Sequence, residues 1–271
     1  MNEGKLHGLR RNLRFIAHLI RLHITRTMMF RFSFFEAFFA DSMLFIMQLL
    51  VFQAIYGAVD SIGGWSRGQM LIFIGTFSMI NALNMTIYFF GVIQIPGLIR
   101  EGGLDLYLTK PGNALLRLSF ERVDLGGSPL LILSALIIAY GVGVSGVAVS
   151  LATAIGYTIL VLLMTLLWYD MEVILRTLPF FFISTTAADR LEGEMLNLNF
   201  KTPGIFYKGA LKLLFYFILP YGVMSTVPTQ LITGALTPGG LIQGVSIVII
   251  FTAFALWFWR LGLKHYKSAS S

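Results

Sequence analysis

Three ionisable residues directly follow a long stretch without charges: Asp170, Glu172 and Arg176. Glu172 and Arg176 are four residues apart, a spacing that allows an ion pair on one face of a helix. Inside a membrane such charges are candidates for function, whereas at the membrane surface they are ordinary. The apolar stretch before them ends at Trp168, so the sequence favours a helix that ends there and places the three charges at the surface.

A second polar group, Asn81, Asn84 and Tyr88, lies within another apolar stretch. The spacing i, i+3, i+7 puts the three side chains on one face of a helix. Amides in hydrocarbon must find hydrogen-bond partners, so this face should point inward. Two interpretations remain open: hydrogen bonding to a neighbouring helix, or the lining of a translocation path.

The motifs of the common catalytic classes are missing from the sequence. It has no Gly-x-x-x-x-Gly-Lys-Ser/Thr phosphate-binding loop, no His-Glu-x-x-His metal motif and no Gly-x-Ser-x-Gly nucleophile motif. It also has no cysteine, which excludes a disulfide framework and a thiol nucleophile. We therefore expect a chain that is not an enzyme, binds no metal, cofactor or nucleic acid, and does not hydrolyse ATP by itself.

The composition is that of a membrane protein. Of the 271 residues, 56% are hydrophobic and only 12% are charged, whereas soluble domains carry about 25% charge. Three stretches contain no Asp, Glu, Lys or Arg at all: Gly68–Ile99, Leu125–Tyr169 and Leu213–Trp259. Because a helix needs about 20 apolar residues to cross a bilayer, each stretch is long enough for one or two spans.

These patterns predict an all-α membrane protein, a single transmembrane domain over residues 1–271 with about six membrane-spanning helices. The fourth span could continue toward Ile183, and the turn before it is expected at Gly141–Gly146. Pro220, Pro228 and Pro238 predict a broken or kinked segment near the end. The predicted spans are Phe34–Tyr56, Gln69–Ile93, Leu118–Tyr140, Val147–Trp168, Leu211–Thr233 and Leu241–Trp259.

The basic residues predict that both termini are cytoplasmic, because loops on that side retain Lys and Arg. With this orientation, 16 of the 20 Lys and Arg residues lie in cytoplasmic segments, and Arg67 alone lies in a proposed outer loop. Residues 1–33 also have apolar side chains at helical spacing between flanking arginines. This cytoplasmic segment is expected to form an amphipathic helix against the lipid headgroups. Its apolar positions are Leu6, Leu9, Leu13, Ile16, Ile20 and Ile24.

The predicted cytoplasmic loop 94–117 contains a short, half-apolar element bounded by Gly102-Gly103 and Pro111-Gly112. Such an element is suited to docking into a groove of a soluble partner. It could also lie on the membrane surface. The candidate docking residues are Arg100, Glu101, Leu104, Leu106, Tyr107 and Leu108.

Three segments resemble a known family. Ile99–Asn113, with its Tyr-Leu-Thr-Lys-Pro run, is similar to the loop of type-2 ABC transporter permeases in the subfamily of unknown-function permeases numbered 990. Pro203–Pro228 and the ending Trp259–Tyr266 are also similar to that family. The resemblance implies the ABC-2 exporter fold and covers nearly the whole chain.

The resemblance also implies how the protein works. Such permeases export a substrate across the cytoplasmic (inner) membrane of prokaryotes. They pair with a second permease, identical or homologous, and with two ATP-binding subunits that bind the ATP. The loop 94–117 would then carry the helix that couples ATP hydrolysis to transport. The alternative is an ATP-independent secondary transporter or channel, a class that usually shows internal repeats; none is evident in this sequence.

Overall fold

The computed structural model describes residues 49–62, 64–110, 112–182 and 207–266, together with the isolated residues 43, 46, 47, 190, 193, 194 and 204. The predicted amphipathic segment 1–33 lies outside the described residues. So does most of the first predicted span, Phe34–Tyr56, of which residues 49–56 are helical.

A hairpin of two short strands and a series of helices follow residues 49–56. The antiparallel strands β1 (Ser61–Ile62) and β2 (Trp65–Ser66) pair Ser61 with Ser66. The helices are α1 (Arg67–Asn84), α2 (Phe90–Val92), α3 (Ile95–Arg100), α4 (Asp105–Leu108), α5 (Ala114–Phe120), α6 (Ser128–Ser145), α7 (Leu151–Thr177), α8 (Gly209–Leu213), α9 (Tyr221–Met224), α10 (Thr226–Ile232) and α11 (Pro238–His265). π-Helical turns occur at Met85–Phe89 and Leu214–Ile218, and 3₁₀ turns at Leu125–Gly127 and Leu178–Phe180.

Within the described residues, four helical segments are long and apolar enough to cross a membrane: Arg67–Arg100, Ser128–Ser145, Leu151–Phe180 and Pro238–His265. A fifth crossing is possible if Gly209–Ile218 and Tyr221–Ile232, which meet at an angle of 80°, form one broken span. The bend falls at Pro220, which has no N–H with which to continue the helix. The predicted break is therefore confirmed, and the chain is a multi-pass integral membrane protein.

Several boundaries differ from the sequence-based prediction. The third span does not begin at the predicted Leu118 but at Ser128, because α5 ends at Phe120 and a 3₁₀ turn follows at Leu125–Gly127. The turn expected at Gly141–Gly146 is wrong, because α6 continues to Ser145 and ends at Gly146, which has a left-handed φ of 67°. Helix α7 then begins after Ser150, whose side chain accepts a hydrogen bond from the N–H of Thr153. The expected end of the fourth span at Trp168 is also wrong, since α7 continues without interruption to Thr177.

Glycines allow α1 and α6 to approach backbone to backbone, and these two helices share the most extensive contact between elements. A Cβ atom on Gly75 would lie 2.7 Å from Ile138 Cγ1 and 3.1 Å from the carbonyl oxygen of Ser134. A Cβ on Gly68 would lie 2.6 Å from the backbone nitrogen of Ser145. Small residues at a helix contact are the usual basis of close packing in membranes.

Helix α7 occupies the centre of the described structure and packs against α1, α10 and α11. Its buried apolar residues, such as Leu160, Met164 and Leu167, belong to the largest apolar cluster. A second cluster joins the end of α7 to the loop after α1 and to the end of α11, through Val173, Leu104 and Trp259. This second cluster positions the candidate functional loop.

Candidate functional site

The loop between α3 and α4 owes its shape to two glycines that have different roles. Gly102 adopts a φ of 75°, a conformation that L-residues other than glycine rarely take. The chain reverses there, so that the N–H of Leu104 donates to the carbonyl oxygen of Leu98 at 3.1 Å. Gly103 has no positive φ, but a Cβ on it would lie 2.9 Å from Leu98 Cδ2. Both positions therefore restrict substitution, one through the backbone and the other through packing.

Leu104 is the anchor of this loop. Its side chain is 0% exposed, in the cluster that contains Val92, Leu115, Val173 and Trp259. Full burial of a leucine is worth about 1.5–3 kcal/mol, which is enough to hold a four-residue helix against the protein. In this conformation Leu104 cannot contact a partner, and its role is to position α4.

Two leucines of α4 are exposed. Leu106 is 66% exposed and Leu108 is 40% exposed. Three charged residues, Arg100, Glu101 and Lys110, are exposed near them in the sequence. We call these five residues the loop surface. It retains four of the six predicted docking residues, namely Arg100, Glu101, Leu106 and Leu108.

Tyr107 is partly buried and packs against the cluster around Leu104. Burial, followed by the neighbouring carboxylate of Glu121, raises the pKa of Tyr107 to about 12. The phenol therefore stays protonated and neutral at physiological pH. It contributes a polar contact between α4 and the residue that follows α5.

Tyr266, the residue after α11, also supports α4. Burial and the carboxylate of Asp105 raise the pKa of Tyr266, which places this phenol next to the first residue of α4. The ring of Tyr266 also packs edge-on against Phe180, with centroids 5.9 Å apart, and Phe180 packs against Trp259 at 5.6 Å. Sequence reasoning gave Tyr266, Phe180 and Glu121 no role, although Trp259–Tyr266 resembles the family ending.

The three candidate path residues have different surroundings. Tyr88 is buried, and its hydroxyl donates to the carbonyl oxygen of Thr165 at 2.9 Å. Its ring packs edge-on against Tyr169. These contacts support the helix-to-helix interpretation for Tyr88. Asn81 is half-buried, while Asn84 is buried with an Oδ1 atom that has no hydrogen-bond partner among the described residues. Asn84 also directly precedes the π-helical turn Met85–Phe89.

The three charged residues of α7 are all buried, which contradicts the expected surface position. Arg176 and Glu172 form the predicted ion pair, with Nη2 and Oε2 3.3 Å apart. Asp170 accepts a hydrogen bond from Thr252 Oγ1 of α11 at 2.5 Å. Paired charges of this kind can stay inside an apolar helix bundle, because each partner replaces part of the lost hydration.

Tyr88 connects the two predicted polar groups, because its hydroxyl bonds to Thr165 and its ring packs against Tyr169, the residue before Asp170. The structure thus places α1, α7 and α11 around one buried polar region. Among the described residues, no group of three or more His, Cys, Asp and Glu side chains could hold a metal ion.

Comparison with known proteins agrees with this architecture. No curated protein matches the chain. A family model described as "ABC-2 family transporter protein" matches residues 42–270, which include every described helix from α1 to α11. The chain therefore belongs to the ABC-2 family of transporters.

Proposed function

We propose that the chain is the permease subunit of an ATP-driven exporter. Two separate ATP-binding subunits energise it, and a second permease, identical or homologous, completes the membrane channel. It resides in the cytoplasmic membrane of a prokaryote with both termini in the cytoplasm. The loop surface then faces the ATP-binding subunits.

Family membership and the motif content support the division of labour. Permeases of the ABC-2 family generally work with ATP-binding subunits. This sequence has no phosphate-binding loop of its own, so the energy of ATP must enter through contact with another protein. The basic residues support the orientation, because they would put loop 94–117 on the cytoplasmic side.

The observation that carries the proposal is the exposed leucine pair of the loop surface. Leu106 and Leu108 are exposed on a short helix that the buried side chain of Leu104 holds against the protein. Docking surfaces usually combine apolar residues with charged ones, and three exposed charged residues are close to these leucines in the sequence. A rigidly held surface also loses little conformational entropy on binding.

The contacts behind the loop surface suggest how a push on it reaches the membrane helices. Leu104 shares its cluster with Val173 of α7 and Trp259 of α11. Asp170, one turn before Val173, is bonded to Thr252 of α11. A displacement of α4 therefore acts on α7 and α11 together, next to the buried polar region.

The test is reconstitution with an ATP-binding subunit of an ABC transporter from the same organism. We expect the highly purified chain to show no ATP binding in nanodiscs, and to form a stable complex with that subunit. Hydrolysis should appear only with the subunit present. A subunit whose phosphate-binding lysine is replaced by alanine serves as the control, because it should still form the complex without turnover.

Two results would overturn the proposal. One is ATP hydrolysis by the permease chain alone. The other is substrate movement driven by an ion gradient in vesicles that contain no ATP-binding subunit, which would instead establish the secondary transporter.

A further inference from the structure

A cavity of about 260 Å³ lies between the helix of residues 49–56, α1 and α6. Four polar side chains line it: Gln53, Tyr56, Arg67 and Tyr140. Tyr56 donates from its hydroxyl to the carbonyl oxygen of Trp65 at 3.0 Å, which places the end of its helix beside the start of α1. Tyr56 and Arg67 therefore lie at the end of the cavity that is nearest to the β1–β2 hairpin.

The opposite end of the same cavity is apolar. Its lining there includes Leu49, Ile74 and Ile137. Ile74 is seven residues after Arg67, which corresponds to about 10 Å along α1. Helix α6 runs antiparallel to α1, because Gly68 meets Ser145 while Gly75 meets Ile138. Ile137 therefore lies farther from the Arg67 end of α1 than Tyr140 does. On all three helices, the residues that line the cavity thus change from polar to apolar in the same direction.

Arg67 is the only Lys or Arg between residues 32 and 99. It is exposed, and no described carboxylate lies within ion-pair distance of it. It is also the first residue of α1, where the helix dipole disfavours a cation. The stability of α1 therefore does not explain an arginine at this position.

We propose that this cavity binds a membrane lipid with an anionic headgroup, one acyl chain lying along the apolar end and the headgroup meeting Arg67. The cavity suits such a lipid because a cation lies at one end of its lining and apolar residues lie at the other. A cation at the membrane surface attracts an anionic headgroup by about 1 kcal/mol. The acyl chain comes from an equally apolar bilayer, so the preference for an anionic lipid must come from the headgroup. The site does not depend on the source of energy, so it can be tested separately from the proposed function.

The experiment measures lipid retained by the full chain. The protein is reconstituted in nanodiscs of equal parts phosphatidylglycerol and phosphatidylcholine, extracted in mild detergent, and analysed by native mass spectrometry. We expect the wild type to retain phosphatidylglycerol preferentially. Arg67→Gln should lower this preference about fivefold, the factor that about 1 kcal/mol represents, while Arg67→Lys should largely keep it.

A second pair of variants tests the apolar end. Ile137→Trp puts a larger side chain on the lining and should reduce retention of both lipids. Leu136→Trp is the matched control, because Leu136 is the preceding residue of α6, is 62% exposed and does not line the cavity. It should behave as the wild type does. Size-exclusion profiles verify that both variants remain folded.

Three results would overturn the proposal. An unchanged lipid preference in Arg67→Gln would leave Arg67 as a simple surface residue. Equal lipid retention in Ile137→Trp and Leu136→Trp would show that the cavity is not the binding site. Displacement of the lipid by added inorganic phosphate would show that the site takes a water-soluble anion instead.

Discussion

The helix pair α1–α6 and the helix pair α7–α11 are held together by different kinds of contact. Gly68, Gly75 and Gly141 bring α1 and α6 together backbone to backbone. Helices α7 and α11 instead meet through side chains: Thr252 donates to Asp170, and Gly262 of α11 faces the side chain of Thr177 rather than backbone. A glycine contact has no side chain that could rotate to a new partner, whereas a hydrogen bond can be exchanged. We therefore expect α1 and α6 to move as one unit, and α7 and α11 to be the pair that can rearrange during transport.

The largest effect is expected where the glycine contact is filled. Gly75→Leu would place a side chain where even a Cβ lies 2.7 Å from Ile138 Cγ1. Overpacking of this kind costs about 1–3 kcal/mol, and sometimes more. The measurement is the apparent Tm in detergent. Gly143→Leu is the matched control, because nothing lies within 4 Å of a Cβ at this exposed position of α6. If both variants have the same apparent Tm, the close approach is not what holds α1 and α6 together.

A smaller effect is expected when the polar contact of the other pair is removed. Thr252→Val keeps the shape of the side chain but leaves the buried Asp170 carboxylate without its donor. Hydrogen bonds between membrane helices are worth about 0.6–1.7 kcal/mol, so the apparent Tm should fall by less than in Gly75→Leu. Thr158→Val is the control on α7, since its hydroxyl is exposed and bonds only within its own helix, to Ala154.

Thr252→Val also tests whether the contact between α7 and α11 rearranges during transport. If α7 and α11 rearrange during the cycle, Thr252→Val should change the transport rate more than its small stability loss explains. A transport rate unchanged from that of Thr158→Val would contradict a moving α7–α11 contact.

Sequence reasoning identified the elements better than their ends. The long apolar stretches predicted the spans because hydrocarbon selects strongly for them. The end of α7 was missed because Asp170, Glu172 and Arg176 look like a helix end. Asp170 can be buried only because Thr252 lies opposite, 82 residues away in the chain. Gly141 resembled a turn residue for a similar reason, since the helix that needs its missing side chain is distant in sequence.

The candidate loop was identified from its local pattern, but its orientation was not. A short half-apolar helix does not show by itself which leucine faces the protein. That depends on Val173, Trp259 and Tyr266, which come from α7 and from the end of α11. The residues that support the loop could therefore be found only once these segments were seen to meet.

The central claim is that Leu106 and Leu108 form the contact with the ATP-binding subunit. Its most direct test is the Kd of that subunit for the permease in nanodiscs, for wild type and for the double variant Leu106→Ala, Leu108→Ala. Truncation of central anchors costs about 1–3 kcal/mol each, so the Kd should rise at least about tenfold.

The matched control is Leu211→Ala, Leu213→Ala, two leucines that are 54% and 57% exposed and belong to a different helix, α8. We predict a Kd unchanged from wild type for this control, together with weakened binding and lost stimulation of ATP hydrolysis for the loop variant. An equal Kd for both double variants would contradict the account.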